Sequence, residues 1–253
     1  TTTLGITGAG PRGITVDADG NVYTSNLDDN TVSKIALDGT STIVGTTGLK
    51  PRGIAVDTAG NVYTVNTDSE TVSKITPAGA STIFGTTGNT PVAIAIDANG
   101  NVYTANVDSD TVSKITAGGI STILGVTGSG PVDITVDADG NVYTANQASD
   151  DVSKIAPDGT TTTLGTTGAG PRGIALDAAG NIYTANRDTD NVSKITPDGN
   201  SATLGATALR PRGIVVDADG NVYTSSTASN TLSKITDTST ATFAATGDTS
   251  PTT

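Results

Sequence analysis

Residues 11–26 read Pro-Arg-Gly-Ile-Thr-Val-Asp-Ala-Asp-Gly-Asn-Val-Tyr-Thr-Ser-Asn, and closely similar stretches return every 40 residues along the chain. The six copies begin at Pro11, Pro51, Pro91, Pro131, Pro171 and Pro211, with no insertion or deletion between them. All six tyrosines of the protein occupy one position of this repeat. A fixed period of this length, filled only with strand and turn signals, predicts a radial or stacked array of structural units. The near-identity of the copies fits recent duplication as well as a designed or consensus origin.

Each repeat predicts four short strands. In the first copy these are Arg12–Asp17, Val22–Asn26, Thr31–Ile35 and Ser41–Gly45, rich in the Val, Ile, Tyr and Thr that favour strands. An Asp-Ala-Asp-Gly-Asn turn joins the first two strands, and an Asp-Gly hairpin joins the last two. No segment shows helical periodicity longer than one turn. The sequence therefore predicts an all-β fold with almost no helix.

Four-stranded units this thin have no private core, so neighbouring units must cover each other's faces, and a ring of blades does this. We predict an all-β six-bladed β-propeller with four-stranded blades, a single domain over residues 1–247, followed by a flexible tail over residues 248–253. Sequences of the outer-strand type also occur at Thr2–Ile6 and, in degenerate form, at Thr240–Ala244. Because Thr2–Ile6 matches the repeat better, we expect the N-terminal strand to close blade six.

The surplus outer strand has a second interpretation. An unpaired strand is a template for pairing with another chain, so self-assembly through a terminal β-strand is a hypothesis. The alternative is that Asp237–Thr253 is a linker or a loosely bound fifth strand. Light scattering of the full chain and of a form lacking residues 1–8 separates the two, since identical monomers would remove the hypothesis.

Composition excludes several classes of partner. The net charge is −12 and the pI is about 4.1, which argues against nucleic-acid binding because phosphate contacts need positive charge. No apolar run is long enough for membrane insertion. The chain has no cysteine and is acidic and rich in Thr and Ser. We expect it to be secreted, acting outside the cell or at the cell surface.

The repeat resembles a known family. The pattern Pro-x-Gly-Ile-x-Val-Asp-x-x-Gly-Asn-Val-Tyr, followed by Val-Ser-Lys-Ile, resembles the NHL repeat of six-bladed propellers. Ser193–Gly199, which reads Ser-Lys-Ile-Thr-Pro-Asp-Gly, is similar to streptogramin-lyase repeats. The resemblance spans essentially the whole chain and implies the propeller fold, whereas propellers of this kind carry many unrelated activities.

Catalysis is not expected from these residues. Streptogramin lyases are understood to need histidine, and the chain has none. The resemblance to lactonase propellers implies a metal held by a glutamate with Asn and Asp, and Glu70 in a loop is the only glutamate of the sequence. No Cys nucleophile or Ser–His pair is present. The sequence therefore predicts a non-enzyme with no catalytic residue, no cofactor and no metal.

One face of the predicted ring carries an unusual charge pattern. Loops that precede each inner strand share this face with the loops between the second and third strands. The first position holds arginine in blades 1, 2, 5 and 6, which are consecutive around a closed ring, and valine in blades 3 and 4. The arginines should form an arc at the mouth of the channel. The predicted mouth residues are Arg12, Arg52, Arg172, Arg212, Val92, Val132, Asp133, Asn26, Asn66, Asn106, Asn146 and Asn186.

This mouth allows two interpretations. A cationic arc within an acidic surround suits a small anionic or polar ligand. Alternatively, the arginines pair with loop aspartates and neutralise the rim, each pair contributing little when exposed.

The turn Asp-x-Asp-Gly-Asn, which begins at Asp17, Asp137 and Asp217, resembles the start of a calcium loop. A calcium site needs six or more oxygen ligands, usually with a bidentate carboxylate further along, whereas this sequence continues directly into Val-Tyr. A turn in which Asp caps its own backbone explains the same residues.

Together the sequence predicts a non-catalytic interaction or scaffold module (a sensor, adhesin or surface-assembly subunit) with a protein or glycan partner, and small-ligand binding at the mouth as the alternative. A lyase-like or lactonase-like enzyme is a distant third.

Overall fold

The computed structural model describes residues 3–236, and within them all regular structure is β-strand. Each strand pairs antiparallel with its neighbour in sequence, giving five four-stranded sheets and a sixth sheet with three strands in the described range. The sheets correspond to the six repeats, so we number them as blades 1 to 6.

The strands, blade by blade, are β1 Pro11–Val16, β2 Val22–Asn26, β3 Thr31–Ile35 and β4 Ser41–Thr46; β5 Pro51–Val56, β6 Val62–Asn66, β7 Thr71–Ile75 and β8 Ser81–Thr86; β9 Pro91–Ile96, β10 Val102–Asn106, β11 Thr111–Ile115 and β12 Ser121–Val126; β13 Pro131–Val136, β14 Val142–Asn146, β15 Asp151–Ile155 and β16 Thr161–Thr166; β17 Pro171–Leu176, β18 Ile182–Asn186, β19 Asn191–Ile195 and β20 Ser201–Ala206; β21 Pro211–Val216, β22 Asn221–Ser226 and β23 Thr231–Thr236. The second and third strands of the first repeat have the predicted bounds. The first strand is displaced by one residue, and the fourth is one residue longer than predicted.

The core lies between the blades rather than inside them. The first strands of successive blades contact one another in the order β1, β5, β9, β13, β17 and β21. Between blades 1 and 2, Tyr23 and Val32 pack against Ile54, Val62 and Ile75 of the next blade. Equivalent apolar clusters join the later pairs of blades. This mutual covering is the propeller arrangement that the thin repeats predict.

The aspartate turns are closed by their own hydrogen bonds. In blade 4, Asp137 Oδ1 accepts hydrogen bonds from the Asp139 and Asn141 backbone N–H groups, at 3.0 and 2.8 Å. Its Oδ2 accepts from Asn141 Nδ2 and from the Tyr143 hydroxyl, at 2.8 and 2.9 Å. The same network recurs around Asp17 and Asp217, the other turns of this pattern. The structure therefore uses these carboxylates to cap turns and to anchor the tyrosines.

The N-terminal segment lies where the outer strand of a preceding blade would lie. The Ile6 and Gly8 backbone N–H groups donate to the Ser41 and Ser33 hydroxyls of blade 1. Thr46 and Gly48, at the end of blade 1, make the same contacts with Ser81 and Ser73 of blade 2. Thr3–Ile6 nevertheless forms no ladder with β23 in the described structure, so closure of blade six by this strand stays a prediction.

Among residues 3–236, the faces of blades 1 and 6 that would meet in a closed ring are exposed. Ile14 is 70% exposed and Leu232 is 79% exposed, whereas Ile54 of the next blade is only 8% exposed and the Val32 side chain is fully buried.

The predicted strand Thr240–Ala244 and the tail over residues 248–253 lie outside the described residues. Residues 3–236 contain no apolar helix of membrane-spanning length.

Candidate functional site

A cavity of about 590 Å³ lies where the first strands of all six blades meet. Its wall includes all seven of the predicted mouth residues that come from these strands: Arg12, Arg52, Val92, Val132, Asp133, Arg172 and Arg212. The structure thus brings the cationic arc, the two valines and one carboxylate together around a single space.

A β-bulge accounts for the placement of these side chains. In blade 5, Pro171 pairs with Asn186 and Gly173 pairs with Ala185, so Arg172 between them has no partner residue. Val92 and Val132 occupy the same unpaired position in blades 3 and 4. An unpaired bulge residue is released from the alternation of the strand and can be re-aimed. Each blade therefore presents one bulge side chain to the cavity, arginine in four blades and valine in two.

The cavity arginines lack partners for their charge. The ion pairs Lys50–Asp28 and Arg187–Asp188 do not involve them, and within residues 3–236 no carboxylate lies within ion-pair distance of the four. The Nε atoms of Arg52 and Arg172 are shielded from solvent and make no hydrogen bond in this part of the chain. Burial lowers the pKa of Arg172 and of Arg212, and the neighbouring arginines lower each pKa further, although Asp188 acts in the opposite direction on Arg172. The alternative interpretation, Arg–Asp pairs that neutralise the rim, has no support in this geometry.

The predicted asparagines do not line the cavity, and this part of the expectation is corrected. Asn66 is fully buried at the end of β6. Its Oδ1 accepts from Thr64 Oγ1, and its Nδ2 donates to Thr71 Oγ1 and Ser73 Oγ. Ser73 Oγ also accepts from the Gly48 N–H of the preceding blade, so the network links two blades. The other four predicted asparagines are equally buried and point into their own blades: Asn26, Asn106, Asn146 and Asn186.

Asp133 is the carboxylate of the cavity wall. Its Oδ1 accepts from the Ile134 N–H at 3.0 Å, and its Oδ2 accepts from the Ile174 N–H of blade 5 at 2.9 Å. Burial raises the pKa of Asp133 to about 6, although these two hydrogen bonds act in the opposite direction. The sequence singled out this position because the other repeats hold glycine or alanine here. The bond to the neighbouring blade was not foreseen.

A second cavity, of about 420 Å³, lies between blades 1 and 2 on the side of the aspartate turns. Two of its carboxylates, Asp17 and Asp57, already accept the hydrogen bonds that close their turns. The other charged groups of its wall are Asp19, which is exposed, and Lys34, which lies over the Tyr23 ring. The arginine-lined cavity, which gathers four like charges, is the better candidate site.

Solved structures similar to this chain are propellers that include enzymes. Virginiamycin B lyase from Staphylococcus aureus superposes with a TM-score of 0.77 at 20% identity, covering 90% of this chain and 84% of the lyase. A catalytically inactive histidine-to-alanine variant of that lyase, with quinupristin, gives 0.76 at 20% identity, covering 92% and 86%. A gluconolactonase from Xanthomonas campestris gives 0.65 at 14% identity, covering 88% and 85%. No curated protein sequence matches the chain. At these identities the likeness establishes the fold.

The sequence family is established separately, because the model of the virginiamycin B lyase family matches residues 1–249. This confirms the resemblance to streptogramin-lyase repeats, while the NHL assignment stays a prediction. It also contradicts the expectation of a non-enzyme, since the family is named for a lyase and the similar structures include lyases and gluconolactonases. The chain belongs to the virginiamycin B lyase family.

Proposed function

We propose that this protein binds a small anionic ligand in the arginine-lined cavity. The observation that carries the proposal is the set of four arginines with no carboxylate partner, two of which hold a shielded Nε atom without a hydrogen bond. A buried donor without an acceptor is costly, by about 1–3 kcal/mol or more for a charged group. A bound carboxylate or phosphate would pair with the guanidinium charges that line the cavity and relieve the repulsion between the arginines.

Because the chain belongs to a family named for a lyase, the cavity residues that could support catalysis are relevant to its function. In the Staphylococcus aureus relative, replacement of one histidine by alanine gives a catalytically inactive enzyme. The present chain contains no histidine, so a proton transfer in this cavity would need another group. Asp133 is suited to such a transfer, because its raised pKa of about 6 lies close to neutral pH.

The ligand proposal predicts loss of anion binding when arginines are removed. Citrate serves as the probe, measured by isothermal titration calorimetry at low salt. We expect the double variant Arg172→Gln/Arg212→Gln to bind citrate about tenfold or more weakly than the parent, because each lost charged hydrogen bond costs about 1.5–3 kcal/mol. The free energy of unfolding should stay the same or rise, because the like-charge repulsion is relieved.

The matched control is Lys114→Gln/Lys154→Gln, which removes the same charge outside the cavity wall. This control should bind citrate like the parent. Absence of citrate binding by the parent, or equal weakening in both double variants, would contradict the proposal. If Arg172→Gln/Arg212→Gln lowers the free energy of unfolding but leaves citrate binding unchanged, the arginines have a structural role and the proposal is wrong.

A role outside the cell with a protein or glycan partner is a separate proposal. Its support is the acidic composition, with a net charge of −12, and a repeat scaffold stiffened by hydrogen bonds between blades. Such a role is compatible with a ligand site in the channel.

A further inference from the structure

The wall of the cavity has two chemically different sides. Arginines come from blades 5, 6, 1 and 2, whereas blades 3 and 4 contribute Val92, Ala93, Ile94 and Val132. The carboxylate of Asp133 belongs to blade 4 and lies where this second side meets blade 5, because it accepts from the Ile174 N–H. A ligand that fills the whole cavity therefore meets cations on one side and an apolar surface with one carboxylate on the other.

Asp133 is held in place and retains capacity to accept further hydrogen bonds. Each of its oxygens accepts one backbone N–H, from Ile134 and Ile174, and a carboxylate oxygen has two lone pairs. No cation of residues 3–236 forms an ion pair with it. Four strands pack against β13, and only β17 brings a charged side chain, Arg172. Strand β9 has no ionisable residue. Strands β10 and β14 bring Tyr103 and Tyr143, whose hydroxyls donate to the turn aspartates Asp97 and Asp137. The carboxylate thus lacks a cationic partner in the same cavity where the arginines lack anions.

We propose that the cavity recognises a zwitterion with an apolar body, the chemistry of a free apolar amino acid or a dipeptide. This inference rests on the proposed function, because the ligand carboxylate is the anion that the arginines bind. The ligand ammonium group donates to the free lone pairs of Asp133, and its side chain packs on Val92 and Val132. Opposite charges on the two sides then set the direction in which the ligand enters.

The test compares ligands that differ by one charged group, by calorimetry at pH 7.5, where Asp133 is mostly ionised. Leucine and leucyl-leucine are the zwitterions, and 4-methylpentanoate is leucine without its ammonium group. We expect at least one zwitterion to bind about tenfold or more tightly than 4-methylpentanoate, from one charge-assisted hydrogen bond. The stronger of leucine and leucyl-leucine identifies the length of the ligand.

Asp133→Asn and Asp133→Gly should abolish this preference, and both should bind citrate at least as tightly as the parent because a carboxylate is removed from the cavity wall. The glycine variant restores the residue found at this position in blades 1, 2, 5 and 6, which makes it the safeguard if the asparagine variant fails to fold. If 4-methylpentanoate binds as tightly as both zwitterions, or if both variants keep the preference, the inference is overturned while anion binding stands. If citrate fails to bind the parent protein as well, the proposed function itself falls.

Discussion

Replacing Leu232 by aspartate should destabilise the protein far more than the same change at Leu37. Both side chains are almost equally exposed in the structure, at 79% and 78%. If the ring closes in solution, Leu232 becomes buried against blade 1, and a buried charge there should lower the free energy of unfolding by about 3 kcal/mol or more. Leu37→Asp, in a hairpin turn, should change it by about 0.5 kcal/mol or less.

The repeat itself supplies the reason to expect closure. Leu232 occupies the position of Val32, Val72, Val112, Val152 and Val192, all of which are fully buried against the next blade. A serine pair gives the same indication. Ser25 Oγ accepts from the Gly13 N–H and donates to the Arg52 carbonyl of blade 2. Ser225, its counterpart in blade 6, accepts from the Gly213 N–H, and closure would bring it the Arg12 carbonyl.

Urea unfolding followed by circular dichroism measures both variants against the parent protein. The slope of the unfolding free energy against urea concentration should stay the same while the midpoint falls. This combination would show that the substitution changes stability and not the compactness of the unfolded chain. Equal and small effects of Leu232→Asp and Leu37→Asp would contradict a closed ring. The arginine-lined cavity would not be affected by that outcome, because Arg12 and Arg212 already line it together in the described structure.

The second large effect is expected at the aspartate turns. Asp137→Ala should lower the free energy of unfolding by about 2–3 kcal/mol, because it leaves four donors without their acceptor. Asp139→Ala removes the same charge from the same turn and is the matched control. Asp139 is exposed, and the repeats of blades 2 and 5 carry alanine at its position, Ala59 and Ala179. We expect Asp139→Ala to stay within about 0.5 kcal/mol of the parent.

The effect of Asp137→Ala should depend on pH. Burial alone would raise the pKa of Asp137, but hydrogen bonds from Asn141, Tyr143 and Asp139 outweigh it, and the pKa lies below its usual value. A carboxyl group with a lowered pKa in the folded state stabilises the fold above its unfolded pKa, about 3.9, and loses this contribution as the pH falls through the folded value. The difference between Asp137→Ala and the parent should therefore be full above about pH 5 and shrink below about pH 4. A constant difference from pH 7 to pH 2 would show that the charged carboxylate is not what stabilises the turn.

The sequence by itself determined the strands, the number of blades and the first-strand residues that line the cavity. Val22–Asn26 and Thr31–Ile35 could be predicted to the residue because strand and turn preferences are local. Because the repeat period is 40 residues without insertions, a residue at one repeat position lies at the same place in every blade. The location of the arginines could therefore be predicted once the fold was assigned.

The tertiary structure alone decided which polar groups have partners. The asparagines represented by Asn66 look like mouth residues in sequence, but their amides satisfy buried hydroxyls within the blade. Likewise, Asp133 reaches the Ile174 N–H of the next blade, 41 residues away, and Arg52 and Arg172 are left with shielded Nε atoms. These outcomes depend on packing between blades, because a buried polar group is stabilised only by the atoms that folding brings within about 3 Å of it.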